Sequence, residues 1–310
     1  MRDAQARLAG QSVLTPVLTC EALDEQAGRR VFLKCENLQR GGAFKFRGGC
    51  NAISLLSDEE RSRGIVTYSS GNHAQAVALV GKMLGIPVTV VMPQNSSATK
   101  REATLSHGAR VIDCEPSERE AVAARVQSET GAVLIPPFDH PDIIAGQGTL
   151  ALELHEQAPG LDAVFVPVGG GGLISGVAIA TKAVNPGCAV IGVEPESGDD
   201  AARSLHSGTL QTCEHCMSIA DGTRTRSLGK LTFPLVRRFV DDIVTVSESE
   251  IAEAVRFLFQ RAQLVVEPSG ALGVAALLSG RCRPASRAGV VLSGGNVDAD
   301  VMARILTRQV

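Results

Sequence analysis

Short runs of β-branched and apolar residues alternate along the chain with stretches whose apolar positions recur every three to four residues. The runs predict strands at Val31–Lys34, Ile65–Tyr68, Val88–Met92, Arg110–Asp113, Ala132–Ile135, Ala163–Pro167, Ala189–Val193, Asp242–Val246 and Gly289–Leu292. Several are apolar on both faces, as parallel strands covered by helices on each side are. The helical period occupies Asn72–Leu84, Ser117–Thr130, Leu173–Val184 and Ser247–Gln263. Ser117 followed by Glu120 predicts a capping box. Alternating strands and helices require crossovers, so the fold class is α/β with parallel sheets. At 310 residues the chain has room for about two domains.

Charge removes some classes of function. Thirty basic and 33 acidic residues leave a net charge of −3. With no basic block, the chain lacks the footprint of a nucleic-acid or anionic-membrane binder. Aromatic residues make up 3%, with no Trp and Tyr68 as the single Tyr, which argues against base-stacking surfaces. Residues 163–181 are uncharged and near membrane-span length, but Pro167 and four glycines would break a lipid-exposed helix. The N-terminal decapeptide has no apolar core, so no signal peptide is expected there. Eight cysteines, Cys20, Cys35, Cys50, Cys114, Cys188, Cys213, Cys216 and Cys282, form no disulfide framework, and a cytoplasmic location is expected. Cys213 and Cys216 form a CxxC without the second pair that a structural zinc would need.

Glycine is the one composition outlier, at 32 residues, and it clusters where strands give way to loops. Four such junctions stand out: Gly41–Gly48, Ser69–His73, Gly169–Gly172 and Ser293–Asn296. Open α/β sheets bind ligands at the carboxyl ends of their strands. Gly169–Gly172, at the start of a helix, can turn several N–H groups toward a phosphate, although one or two glycines would serve a plain tight turn. Lys45 lies between Phe44 and Phe46. Desolvation there would make its amine nucleophilic, whereas a lysine lying over phenylalanine at the surface would do nothing. A phosphate cradle combined with such a lysine points to pyridoxal phosphate.

The runs KCENLQRGGAFKFRG, SSGNHAQAVAL, IAGQGT, PVGGGGLISG, GVEPESGDD, IADG, VVEPSGALG and VLSGGNVD together resemble the fold-type II pyridoxal-phosphate enzymes. The nearest group is that of serine/threonine dehydratases, serine racemases and threo-3-hydroxyaspartate dehydratases. The resemblance implies a fold similar to the tryptophan synthase β chain, two open twisted sheets with the cofactor in the cleft between them. A large discontinuous domain would comprise residues 1–52 and 141–310, and a small mobile domain residues 53–140. It also implies that Lys45 forms the Schiff base, with Phe44 against the ring. Gly169, Gly170, Gly171, Gly172 and the N–H of Leu173 would hold the phosphate. Asn72 would meet the phenolic oxygen and Ser293 the pyridine nitrogen. Glu267 would lie near the ring edge.

For the substrate, the resemblance implies that Ser69, Ser70, Asn72 and His73 bind its carboxylate at a helix N-terminus, where Ser70 or Asn72 could equally be an ordinary cap. Ser70, opposite the lysine, is the second acid/base in racemases. Arg119 would reach the substrate, or else remain an exposed helix arginine. Glu194, Gly198 and Asp200 match a Mg²⁺ or Ca²⁺ site, against the plainer reading of a solvated acidic loop. Ala43 departs from the hydroxylated residue common at its position, and Ala43–Phe46 and Pro136–Pro141 read more like hydroxyaspartate dehydratases. No regulatory domain is expected after Val310. A homodimer is expected because the family is commonly dimeric.

The implied reaction is β-elimination of water from a β-hydroxy-L-amino acid, with release of a 2-oxo acid and ammonia. Serine racemisation by Lys45 and Ser70 is the alternative enzyme. A non-catalytic amino-acid-binding homologue is the alternative outside catalysis.

Overall fold

The computed structural model describes residues 1–214, 216–281 and 285–309; Cys282 therefore lies outside the described residues. The chain opens with α1 (Arg2–Leu8), β1 (Val17–Leu18), α2 (Glu21–Ala27), β2 (Arg30–Cys35) and α3 (Lys45–Ser54). Next come α4 (Asp58–Arg63), β3 (Ile65–Tyr68), α5 (Asn72–Leu84), β4 (Val88–Pro93), α6 (Ala98–Ser106), β5 (Arg110–Cys114), α7 (Arg119–Thr130) and β6 (Val133–Leu134). It continues through α8 (Pro141–Gln157), β7 (Ala163–Pro167), α9 (Gly172–Val184), β8 (Ala189–Pro195), α10 (Asp200–Ser207), α11 (Thr232–Phe239) and β9 (Asp242–Val246). α12 (Glu248–Arg261), α13 (Pro268–Leu278), β10 (Arg287–Leu292) and α14 (Ala299–Leu306) complete it.

Two sheets form among the described residues. The larger runs β1-β2-β10-β7-β8-β9 and the smaller β5-β4-β3-β6. Every pairing is parallel except that of β1 with β2. Val164, Phe165 and Val166 of β7 are fully buried, as the all-apolar run requires of a strand sandwiched between helices. Leu23, Val255, Leu272 and Ile305 lie in the core on one face of the larger sheet, and Leu150, Ile174 and Val236 in the core on the other. The core beside the smaller sheet draws Leu8, Phe46, Cys50 and Ile143 from outside residues 53–140. No helix among the described residues is long and apolar enough to cross a membrane; residues 163–181 are β7, its glycine loop and most of α9.

Three local expectations fail for identifiable reasons. The helix expected from Ser117 starts at Arg119 with Glu118 as an uncapped N-cap. Glu118 N–H bonds Glu115 C=O at 3.0 Å, a turn around Pro116 that leaves Ser117 inside it. The strand expected over Ala132–Ile135 pairs only at Val133 and Leu134. Lys45 opens a helix rather than sitting in a glycine loop. Gly48 and Gly49 lie inside α3, where a Cβ on Gly48 would meet the Gln147 amide at 2.3 Å and Ile143 C=O at 2.9 Å. The glycine there allows α3 to lie against α8.

A buried charge cluster fastens that helix. Arg47 and Glu36 are fully buried and pair through Nε at 2.8 Å. Arg47 also reaches Glu153 at 2.7 Å, and Lys34 meets Glu153 at 2.6 Å. Thr15 donates to Glu36. Charges at these depths persist only when paired and hydrogen-bonded. The cluster therefore ties β2, α3 and α8 together two residues beyond Lys45.

Candidate active site

A cavity of about 240 Å³ opens where the carboxyl ends of β3, β7 and β10 meet. This is the crevice at which open parallel sheets bind ligands. Phe44, Lys45, Ser69, Ser70, Asn72, His73, Arg119, the four glycines, Leu173, Glu267 and Ser293 all line it. These expected residues thus converge from six separate parts of the chain. Glu194, Gly198 and Asp200 do not line it; they belong to a second cluster at the end of β8.

Lys45 is half-buried, with Nζ 5.1 Å from the Phe44 ring centre and donating to Pro137 C=O at 2.6 Å. Burial lowers its pKa from 10.5 to about 8, against the raising influence of Glu267. The chain thereby holds an amine that is partly unprotonated near neutral pH, as a nucleophile needs.

Two helix N-termini line the same cavity as this amine. Gly171 is the N-cap of α9 and has no side-chain cap. Gly170 C=O turns away to accept from Thr232 Oγ1 at 2.7 Å, leaving the first-turn N–H groups for an anion. The four glycines also have packing reasons. A Cβ on Gly170 would meet the Phe138 ring at 2.4 Å, one on Gly172 would meet Phe138 backbone at 3.0 Å, and Gly171 has φ +87 with Leu228 at 2.7 Å. At α5 the N-cap is Gly71, again without a side-chain cap, so neither Ser70 nor Asn72 caps this helix. Ser69 Oγ accepts from Gly71 N–H instead, at 3.2 Å. The first-turn N–H groups of Asn72 and His73 lie at this uncapped start, where an anion would be favoured. The His73 ring is bonded to Ile135 C=O at 3.0 Å, and burial beside Lys45 lowers its pKa to about 3. It is neutral and offers a carboxylate no charge.

Glu267, at the N-cap of α13, is 2% exposed, and burial with Asp221 nearby raises its pKa to about 8. Asn72 Nδ2 donates to Glu267 Oε1 at 2.7 Å. Lys100 from α6 pairs with Asp221 across the cleft, and Ser97 donates to Asp298 at 2.9 Å. Sequence reasoning did not single out Lys100, Asp221, Phe138, Tyr68 or Ser269, all of which line the cavity. Asp221 lies in the quoted Ile219–Gly222 run. Lys100 carried no signal, because a lysine in a polar helix looks like any solvated one.

At the end of β8, Glu194 is 1% exposed and accepts from the N–H groups of Ala201 and Ala202 at 3.3 and 2.8 Å. Burial and the neighbouring Asp200 push its pKa well up, and burial raises Asp200 to about 7. Asp200 Oδ2 is buried without a partner. The two carboxylates fit a hard divalent cation, which would relieve their repulsion and engage the orphaned oxygen. No group of three or more acidic, histidine or cysteine side chains gathers as a metal site among the described residues. Near it, Cys216 Sγ donates to Thr225 C=O at 3.2 Å, and burial raises that thiol to about 12. Without a metal beside it, that thiol stays protonated near neutral pH.

Residues 11–294 match the family described as pyridoxal-phosphate-dependent enzyme. The chain belongs to that family. It is 47% identical over 308 residues to an L-threo-3-hydroxyaspartate ammonia-lyase of Saccharomyces cerevisiae, covering 98% of this chain and 94% of that one. It is 48% identical over 306 residues to a serine racemase of Arabidopsis thaliana, covering 96% and 92%. The structure of maize serine racemase superposes with a TM-score of 0.95 at 44% identity, covering 99% and 96%. The residues of the cavity fit the family's cofactor: an amine at lowered pKa, an uncapped glycine-rich helix start, and the buried Ser293 at the end of β10.

Proposed function

We propose that this pyridoxal-phosphate-dependent enzyme removes water from a β-hydroxy-L-amino acid and releases a 2-oxo acid and ammonia. The observation that carries the reading is Lys45. Its amine, lowered to about 8, sits in one cavity with the uncapped start of α5 and the glycine cradle of α9. When bound, the cofactor's ring withdraws electrons from the substrate's α-carbon. Gly169–Gly172 and Leu173 hold its phosphate, Phe44 flanks its ring, Asn72 meets its phenolic oxygen and Ser293 its ring nitrogen. Ser293 is uncharged, so that nitrogen need not be protonated. The N–H groups of Asn72 and His73, with Ser69 and Ser70, bind the substrate carboxylate. Lys45 takes the α-proton. Arg119, on the cavity wall, meets a second carboxylate where the substrate has one.

Residues 53–140 form the small domain, which closes over the substrate and excludes water; the Lys100–Asp221 pair and the Ser97–Asp298 bond cross the cleft in support. Glu194, Asp200 and the Gly198 carbonyl hold Mg²⁺ or Ca²⁺. The enzyme is a homodimer. Its supporting surface is apolar: Leu14 is 65% exposed and Val265 51%, with Val13, Leu18 and Leu38 also exposed. Gln39 binds Val13 and Asn37 binds Val265, which makes much of that patch continuous. The seven described cysteines are free thiols, which supports a reducing cytoplasm.

The test is release of 2-oxo acid by the holoenzyme from L-threonine, L-serine and L-threo-3-hydroxyaspartate, with Lys45→Ala as control. No release from any of the three, with cofactor bound, overturns the reading. Ser70 in the cavity wall favours racemisation as the second reading. D-serine production abolished by Ser70→Ala, with elimination kept, would establish Ser70 as the second acid/base.

A further inference from the structure

Asn72 is held by a chain of hydrogen bonds in which every donor and acceptor is forced. Gly41 C=O can only accept, and it lies 2.7 Å from Asn296 Nδ2. The same Nδ2 therefore donates its other hydrogen to Asn72 Oδ1, at 2.9 Å. Asn72 must then present its Nδ2 on the opposite side, where it donates to Glu267 Oε1 at 2.7 Å. Two glycines make room for the two ends of this relay. A Cβ on Gly42 would lie 2.3 Å from Asn296 Oδ1, and one on Gly294 would lie 2.4 Å from Glu267 Oε1.

We infer that Asn296 is a positioning residue that locks the Asn72 amide so that an N–H, not its carbonyl, faces the phenolic oxygen of the cofactor. Without Asn296 the Asn72 amide is oriented by Glu267 alone, and a protonated carboxyl there can face either end of it. A hydrogen bond donated to the phenolic oxygen favours its ionised form, which gives the bound cofactor its visible absorption; the neutral form absorbs in the near ultraviolet. Asn296 does not touch the cofactor and acts through Asn72 alone.

The inference rests on the reading that Asn72 meets the cofactor, and the test separates the two. Holoenzyme spectra at one pH are compared for the wild type, Asn296→Ala, Asn72→Ala and the double variant. Asn296→Ala should lower the ratio of visible to near-ultraviolet absorbance roughly three- to tenfold, because a hydrogen bond to a charged atom, worth about tenfold or more, is lost only in the flipped fraction. The same substitution in the Asn72→Ala background should change nothing further. An unchanged ratio in Asn296→Ala overturns the inference, and so does a shift that survives in the Asn72→Ala background, because Asn296 would then act as a mere loop brace. An unchanged spectrum in Asn72→Ala itself overturns the placement of the cofactor as well. Where Asn296→Ala does not fold, Asn296→Ser replaces it under the same outcomes, since its short hydroxyl cannot span Gly41 and Asn72.

Discussion

Removing the cofactor and titrating Lys45 tests the electrostatics of the site directly. Burial lowers this amine from 10.5 to about 8. At pH 7.5 an amine with a midpoint near 8 is about one-quarter unprotonated, against roughly 0.1% at 10.5, an advantage of roughly 200-fold in reactive amine. The cofactor-free protein should therefore be labelled at Lys45 by an amine-selective acylating reagent with a midpoint near pH 8. Peptide mass spectrometry reads the site, and the exposed Lys82 and Lys230 normalise the reagent. Glu267→Gln should move the midpoint lower still, because the carboxylate's attraction raises the Lys45 pKa. The same shift has a stability consequence. Between pH 8 and 10.5 the unfolded chain holds a proton at Lys45 that the folded chain has released, so this group's contribution to cofactor-free stability rises with pH across that window. Labelling of Lys45 that climbs only toward pH 10.5 would refute the claim that the fold desolvates the amine.

Three further outcomes follow from the geometry. Arg47→Met leaves Glu36 buried without its charge partner and Glu153 paired with Lys34 alone, and should destabilise the protein by about 3–5 kcal/mol, read as a lowered midpoint in urea; a loss below ~1 kcal/mol would show the cluster to be solvated. Gly171→Ala forces a side chain into φ +87 and to within 2.7 Å of Leu228, and should weaken cofactor retention by roughly tenfold or more while leaving the far end of the larger sheet intact. Undiminished cofactor affinity in equilibrium dialysis would detach the α9 cradle from the phosphate. Calorimetric titration with Mg²⁺ should give a binding heat that Asp200→Asn abolishes, and chelation should lower the melting temperature; no heat in the wild type removes the cation from the Glu194–Asp200 pair.

Much of the molecule is legible in one dimension because its signals are local. β7 reads as a buried parallel strand because apolar residues run without interruption from Ala163 to Val166, and α5 was expected over the same residues it occupies. Ser247 and Glu250 form the capping box their spacing suggests, since both partners lie within one turn. The same spacing at Ser117 and Glu120 failed because Pro116 nucleated a competing turn. Motif residues such as Lys45, Asn72, Ser293 and the four glycines could be picked out singly. Their meeting in one cavity depends on where three strands of two different sheets end.

Other features have no local signature at all. Gly48 reads as part of a glycine-rich loop because nothing in its own segment reveals that Gln147 and Ile143, about a hundred residues away, press against it. The pKa of Lys45 depends on burial that only packing supplies, and the neutrality of His73 on its burial beside Lys45. Lys100 meets Asp221 across the cleft only once two sheets are set side by side. The orientation of Asn72 is fixed by Gly41, Asn296 and Glu267, residues drawn together from up to 255 positions apart. Chain order encodes helices, strands and the inventory of reactive groups, because these depend on neighbours in sequence. Protonation states, amide orientation and the cavity itself depend on neighbours in space.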